Sequence, residues 1–142
     1  MENEVFVKYI YEKEDFDILI DLYKQKEINS TFSGYRSDRL LSSEYSFLIY
    51  LGDIPIGFIL CVRERSRRNN LSIDMAILEK YRNLGYGKKS LEIFRDYYLM
   101  QIPDQLIVEV DKNNVPANGV KSVFDLEYVE TIDSSNIYEV KR

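Results

Sequence analysis

The stretch from Ile73 to Met100, IDMAILEKYRNLGYGKKSLEIFRDYYLM, constrains this chain more than any other. An apolar segment of extended character ends at Ile77 and Leu78, a short turn carries Arg82, Gly85 and Gly87, and the turn opens an amphipathic helix. That layout points backbone N–H groups at an anion. The spacings of Leu91, Phe94, Tyr98 and of Ile93, Tyr97, Met100 predict one broad apolar face that packs on a sheet. Lys88 and Lys89 stand in the first helical turn, where the dipole already supplies roughly half a positive charge, so each is disfavoured by roughly a few tenths of a kcal/mol unless an anion binds there. A bound phosphate reverses that sign.

The glycine pattern has competitors. A dinucleotide fingerprint needs a third glycine where Ser90 stands, and a Walker A loop needs Gly at position 82 and Ser or Thr at position 89, which hold Arg82 and Lys89. Two glycines before a helix can also be only a turn. What remains, Arg-x-x-Gly-x-Gly after a strand, resembles the acyl-CoA pyrophosphate loop of the GNAT superfamily of N-acetyltransferases.

Composition narrows the alternatives. With 142 residues the chain has the length of one domain, 1–142, and can bury about two thirds of its unfolded surface without staples. A single cysteine, Cys61, rules out a disulfide framework, and the absence of histidine argues against a zinc site or a serine–histidine triad. No apolar run reaches transmembrane length, and the acidic start MENEVFVKYIYEKED lacks a signal-peptide layout, so a cytoplasmic location is expected and no membrane partner. A formal net charge of -5 and a pI near 4.9 argue against nucleic acid as a partner.

Along the chain, Val5 to Tyr9 alternates as a strand, and Glu12, Glu14, Asp15 and Asp17 open a helix with Phe16, Leu19, Leu22 and Tyr23 at helical spacing. These acids read as a solvated, dipole-matched helix start. Residues 28–41 read as a loop with a short helix around Tyr35 to Leu41. Tyr45 to Leu51 and Ile54 to Val62 flank a tight turn at Gly52 and Asp53, with Pro55 and Gly57 giving an irregular start. Cys61 falls in this apolar run as a small core residue. Arg63, Arg65, Arg67 and Arg68 form a charged loop before a strand at Leu71 to Leu78, open to a solvated role or to an acidic ligand. Leu106 to Val110 forms a parallel, right-handed crossover with the strand before the helix, which sets the turn beside Asp111 to Asn114. A short helix from about Pro116 to Phe124 and strands at Tyr128 to Thr131 and Ile137 to Lys141 complete the chain.

The order of elements and two separated motifs thus resemble GNAT domains over essentially the whole chain. The resemblance implies a mixed α/β fold: a twisted sheet of six or seven strands, helices on both faces, and a cleft where a parallel strand pair splays. It implies that Met75, Ala76 and Ile77 offer backbone groups to the pantetheine arm of acetyl-CoA. The pyrophosphate then falls to Arg82, Asn83, Leu84, Gly85, Tyr86, Gly87 and Lys88. Asn114, followed by Ala117 and Val120, is similar to the second family motif, whose asparagine contacts the cofactor arm. Glu109, in the phrase Val-Glu-Val, resembles the glutamate base of protein N-terminal alanine acetyltransferases, while alternation alone fixes only that it opposes Val108 and Val110. Glu79 and Asp74 are alternative bases. The usual tyrosine acid is replaced by Lys121, and the motif's Gly-Phe or Gly-Tyr ending by Glu127 and Tyr128, with Tyr128 read as sheet packing.

The function implied is transfer of an acetyl group from acetyl-CoA to a primary amine, either a small amine or a protein N-terminus, without a metal and by a monomer or homodimer. A non-catalytic acyl-CoA-binding regulatory module and a nucleotide-binding interaction domain are the alternatives.

Overall fold

The computed structural model describes residues 4–29, 43–64, 70–111 and 118–142. The expected helix around Tyr35 to Leu41, together with Arg65, Arg67, Arg68, Asn114 and Ala117, lies outside the described residues. Strands β1 (Val5–Tyr9), β2 (Ser43–Leu51), β3 (Ile54–Glu64) and β4 (Asn70–Ile77) pair antiparallel in that order. Strand β5 (Leu106–Asp111) joins β4 in parallel, and β7 (Ser135–Val140) lies between β5 and β6 (Leu126–Ile132). The result is one seven-stranded mixed sheet, ordered β1-β2-β3-β4-β5-β7-β6.

Alternation along the strands feeds two separate cores. On one face Phe47, Cys61, Leu71, Leu106, Val108 and Val110 pack against Leu91 and Phe94 of helix α3 (Tyr86–Tyr97) and Val123 of helix α4 (Asn118–Val123). On the other, Leu48, Phe58, Leu60 and Ala76 pack against Leu19, Leu22 and Tyr23 of helix α1 (Lys13–Lys24) and Ile28 of the single turn α2 (Lys26–Asn29). Helices therefore cover both faces. Phe94 meets Phe47 edge-on at 5.3 Å between ring centroids, a geometry that favours the ring quadrupoles as well as the buried area. The α3–α4 pair is tied by Arg95 Nη1, which donates to the carbonyl of Val123 at 2.9 Å.

The β2–β3 turn is tight, as expected: Leu51 pairs Ile54, Gly52 takes a φ of 59°, and the register shifts near the turn between Ile49 and Tyr50 and again between Ser43 and Tyr45. Three readings change. Tyr97 and Met100 are 68% and 78% exposed: Tyr97, still within the α-helix, projects away from the face that buries Leu91 and Phe94, and Met100 lies past the helix end in a 3₁₀ turn, Leu99–Gln101. That tighter turn breaks the 3.6-residue phase, and Leu99 and Ile102 take the core positions instead. Asp15 is not a solvated helix-start acid; it is buried on α1 with the Lys8 ammonium 3.0 Å away, while Phe16 on the same helix is partly exposed. Hydrogen bonding to Asp15 raises the Lys8 pKa. Arg63 belongs to β3 rather than to a loop, and its guanidinium lies 2.6 Å from Asp104 and beside Glu44. It ties the entrance of β5 to β2, which accounts for one of the four arginines as structure.

Cys61 is fully buried, and burial, with a smaller contribution from the charge of Asp74, pushes its thiol up to about 12. The folded protein is expected to leave this thiol unlabelled by an aromatic disulfide reagent at about pH 8, with one thiol per chain appearing on denaturation. Rapid labelling of native protein would contradict the core assignment.

Candidate active site

The parallel pair β4–β5 is joined by only two residue pairs, Leu71 with Leu106 and Ser72 with Ile107. Both strands continue, β4 to Ile77 and β5 to Asp111, each held on its far side by β3 and β7. Beyond Ser72 and Ile107 the two strands therefore part, and the facing backbone edges open a cleft. A sheet interior does not normally leave N–H and C=O groups without a ladder partner, so this is where a ligand with amide groups can act as a strand.

Met75, Ala76 and Ile77 lie on the parted stretch of β4 and pair only with Ile59, Phe58 and Gly57 of β3. Met75 and Ile77 face α3, whereas Ala76 is buried on the α1 face. The chain then passes through the 3₁₀ turn Glu79–Tyr81 into the glycine turn, where two residues adopt left-handed backbone: Asn83 at φ 62° and Gly85 at φ 87°. Gly85 is the N-cap of α3, no side chain caps the helix, and no acid occupies its first turn. The first intrahelical bond runs from the Lys89 N–H to the Gly85 carbonyl at 3.1 Å, so the N–H groups of Tyr86, Gly87 and Lys88 have no acceptor within the helix. Lys88 and Lys89 are exposed at this end. A helix N-terminus with lysines and no acid is suited to a diphosphate.

The two glycines do different work. A Cβ on Gly85 would meet nothing within 4 Å, so this residue supplies the left-handed turn beside open space. A Cβ on Gly87 would lie 3.1 Å from Cε of Met75, so Gly87 lets the helix rest on β4. Leu84 is exposed and Tyr86 is half-buried against the core. Arg82 donates through Nε to the Ile77 carbonyl at 2.7 Å and through Nη2 to the Glu27 carbonyl at 2.9 Å.

Glu109 is exposed on the parted stretch of β5, two residues past the last β4–β5 pair. Leu106, Val108 and Val110 face α3, so Glu109 points to the α1 side. Asp74 stands two residues past the same pair on β4, opposite Leu60 of the α1-side core, and so emerges on that face too. The two carboxylates occupy the two lips of one opening. Glu79 sits apart, on the 3₁₀ turn, with its backbone N–H donating to the Glu27 carboxylate. Lys121 on α4 places its ammonium 5.1 Å from the ring centroid of Tyr138, and Tyr128 packs edge-on against that ring, with its hydroxyl bonded to Thr131. Glu27 has no motif around it; its connection to the glycine turn arises only in three dimensions.

The sequence profile of the Acetyltransferase (GNAT) family matches residues 9–120, and the chain belongs to that family. No curated protein sequence matches it. Among solved structures, PH1933 from Pyrococcus horikoshii OT3 is similar at a TM-score of 0.69 and 19% identity, over 98% of this chain and 99% of that one. Arabidopsis thaliana Naa50, bound to the bisubstrate analogue CoA-Ac-MVNAL, matches at 0.63 and 19%, over 97% and 98% of the two chains. An aminoglycoside acetyltransferase, AAC(6')-Ib, in complex with coenzyme A, matches at 0.68 and 15%, over 96% and 94%. At these identities the likeness is one of fold.

The glycine turn carries a direct expectation. If the turn holds a diphosphate, Gly85→Asp adds a like charge beside it; at a separation of about 5 Å and an effective dielectric of about 20 the repulsion is roughly 3 kcal/mol, so coenzyme A binding should weaken about 100-fold. Gly85→Asn has the same shape and tolerates the left-handed backbone, so in calorimetric titration it should lose much less. Equal losses in the two variants would assign the effect to shape rather than charge.

Proposed function

We propose that this chain transfers an acetyl group from acetyl-CoA to a primary amine, with Glu109 as the base. The observation that carries this reading is the parting of β4 and β5 after two pairs, ending at an uncapped helix N-terminus. The pantetheine arm would lie along Met75 to Ile77, the diphosphate at Asn83 to Lys88 and the thioester between the strand lips. Asn114, outside the described residues, is proposed for the cofactor arm on sequence grounds alone.

An amine arrives largely as its ammonium and must lose a proton before it attacks. Glu109 on one lip accepts that proton, and Asp74 on the other adds negative potential that draws a cation into the opening. The nitrogen then attacks the thioester carbonyl carbon, a C–N bond forms and the C–S bond breaks. An amide and the thiol of coenzyme A leave, with the second amine proton passing to the thiolate. Held reactants and an oriented carbonyl provide most of the acceleration. Both a peptide amine and a small polyamine suit this opening. A structure bound to the bisubstrate analogue CoA-Ac-MVNAL and that of an aminoglycoside acetyltransferase are both similar in fold, at TM-scores of 0.63 and 0.68.

The test is release of free thiol from acetyl-CoA in the presence of a panel of polyamines, aminoglycosides and short peptides. Amine-dependent release supports the reading; tight acetyl-CoA binding without release under any amine would instead favour the non-catalytic module. That second reading draws on Lys121, which stands in the sequence where the family's tyrosine acid is usual and whose ammonium lies over the Tyr138 ring.

Among the described residues no helix is long and apolar enough to cross a membrane, and no three His, Cys, Asp or Glu side chains are grouped to hold a metal. A cytoplasmic enzyme working as monomer or homodimer is part of the proposal.

A further inference from the structure

Arg82 and Glu27 link two parts of the site that the sequence leaves unconnected. The Arg82 guanidinium spans the last carbonyl of β4, at Ile77, and the carbonyl of Glu27 in α2, at 2.7 and 2.9 Å. The Glu27 carboxylate returns a second bond, accepting the backbone N–H of Glu79 at the head of the cofactor turn. The neighbouring residue, Ile28, is fully buried in the α1-side core. α2 is therefore fastened below to the layer on whose side Asp74 and Glu109 emerge, and above to the glycine turn. An open depression of about 500 Å³ lies along this seam, lined among others by Gln25, Glu27, Ile54, Leu78, Glu79 and Tyr81. Beside it Leu78 packs on the same α1-side core as Ile28, so apolar contact and the Arg82 and Glu27 hydrogen bonds together hold α2 to the turn.

We propose that Arg82 and Glu27 are positioning residues that couple occupancy of the cofactor turn to the ordering of α2 on the acceptor side. The inference rests on the acyl-CoA reading above. A phosphate held by the N–H groups after Gly85 fixes the left-handed turn at Asn83 and Gly85, and with it the backbone from which Arg82 projects. The planar fork of the guanidinium passes that restraint to the Glu27 carbonyl. Lysine, a point charge on a flexible stem, cannot satisfy two carbonyls in this geometry. Arg82 thus acts through its side chain on α2, while its backbone N–H is taken up by the Glu79 carbonyl at 3.1 Å.

Hydrogen exchange of the full chain with and without saturating coenzyme A tests the coupling. In the wild type, peptides covering 85–89 and peptides covering 26–29 should both slow severalfold when coenzyme A binds. In Arg82→Lys the first should still slow and the second should not; Glu27→Ala, which keeps the backbone carbonyl, should lose part of the second response. A purely structural staple would instead speed exchange at 26–29 equally with and without coenzyme A. Slowing at 85–89 with no change at 26–29 in the wild type overturns the coupling and leaves the cofactor reading standing, and needs no variant to fold. A full response at 26–29 in Arg82→Lys also overturns it. No slowing at 85–89 in the wild type would overturn the acyl-CoA reading itself, and the coupling with it.

Discussion

Glu109→Gln is expected to lower the turnover of any accepted amine by roughly 10²- to 10⁴-fold, the range over which a positioned base contributes to such reactions. The replacement has nearly the same shape, and the residue stands on the α1 side of the cleft, apart from the turn proposed for the diphosphate. Coenzyme A affinity should therefore stay within about twofold of wild type, since an exposed isosteric change seldom alters a distant site by more than about 0.5 kcal/mol. The residual rate should climb with pH, because bulk water then removes the proton that Glu109 no longer takes. If the variant instead keeps its rate within about threefold, a loss below the range expected of a base, Glu109 is not the base. Asp74→Asn becomes the next variant, because Asp74 is the carboxylate on the opposite lip. Loss in both variants, each much larger than threefold, would mean that the pair acts together in drawing in and deprotonating the amine.

The second large effect concerns Gly57. A Cβ at this position would lie 2.2 Å from the carbonyl oxygen of Ala76 and 3.1 Å from Cα of Ile77. Both obstacles are backbone atoms of the parted end of β4, which a rotamer change cannot clear. Gly57→Ala must push β4 toward the cleft or break the Gly57–Ile77 pairing, a strain of about 3 kcal/mol on the scale of overpacked interiors. At roughly 2–4 °C per kcal/mol for a chain of this size, the midpoint of thermal unfolding should fall by about 6–12 °C. Coenzyme A binding should weaken as well, because the displaced carbonyl belongs to the strand proposed for the pantetheine arm. A variant with unchanged melting temperature would show that β3 and β4 are not held this closely.

Gly57 and Gly87 show how differently two glycines can be legible. The turn around Gly85 and Gly87 announced itself through its place between an apolar strand and an amphipathic helix, a purely local pattern. The need for Gly57 is set by a strand that arrives some twenty positions later, and only the pairing with Ile77 brings the Ala76 carbonyl against it. Arg82 is a similar case. Its position in the motif was readable, but its side-chain bond to Glu27 crosses 55 positions and belongs to no periodic signal.

Period and turn chemistry are properties of neighbours, so the sequence by itself determined the strands at Val5 to Tyr9, Ile54 to Val62 and Leu106 to Val110. The same local signals set the tight turn at Gly52, the helix after Gly85 and the family resemblance. Local signals also explain the reading at Met100, where a constant helical period was carried past the point at which the backbone tightens to a 3₁₀ turn. Tertiary structure decided everything that depends on divergence and convergence of distant segments. It ended the β4–β5 pairing after Ser72 and Ile107, set Asp74 and Glu109 on one face of the opening, and drew α2 onto the glycine turn through Arg82. The physical reason is that a strand's alternation fixes which residues share a face, whereas which face meets which ligand depends on where its neighbour in the sheet turns away.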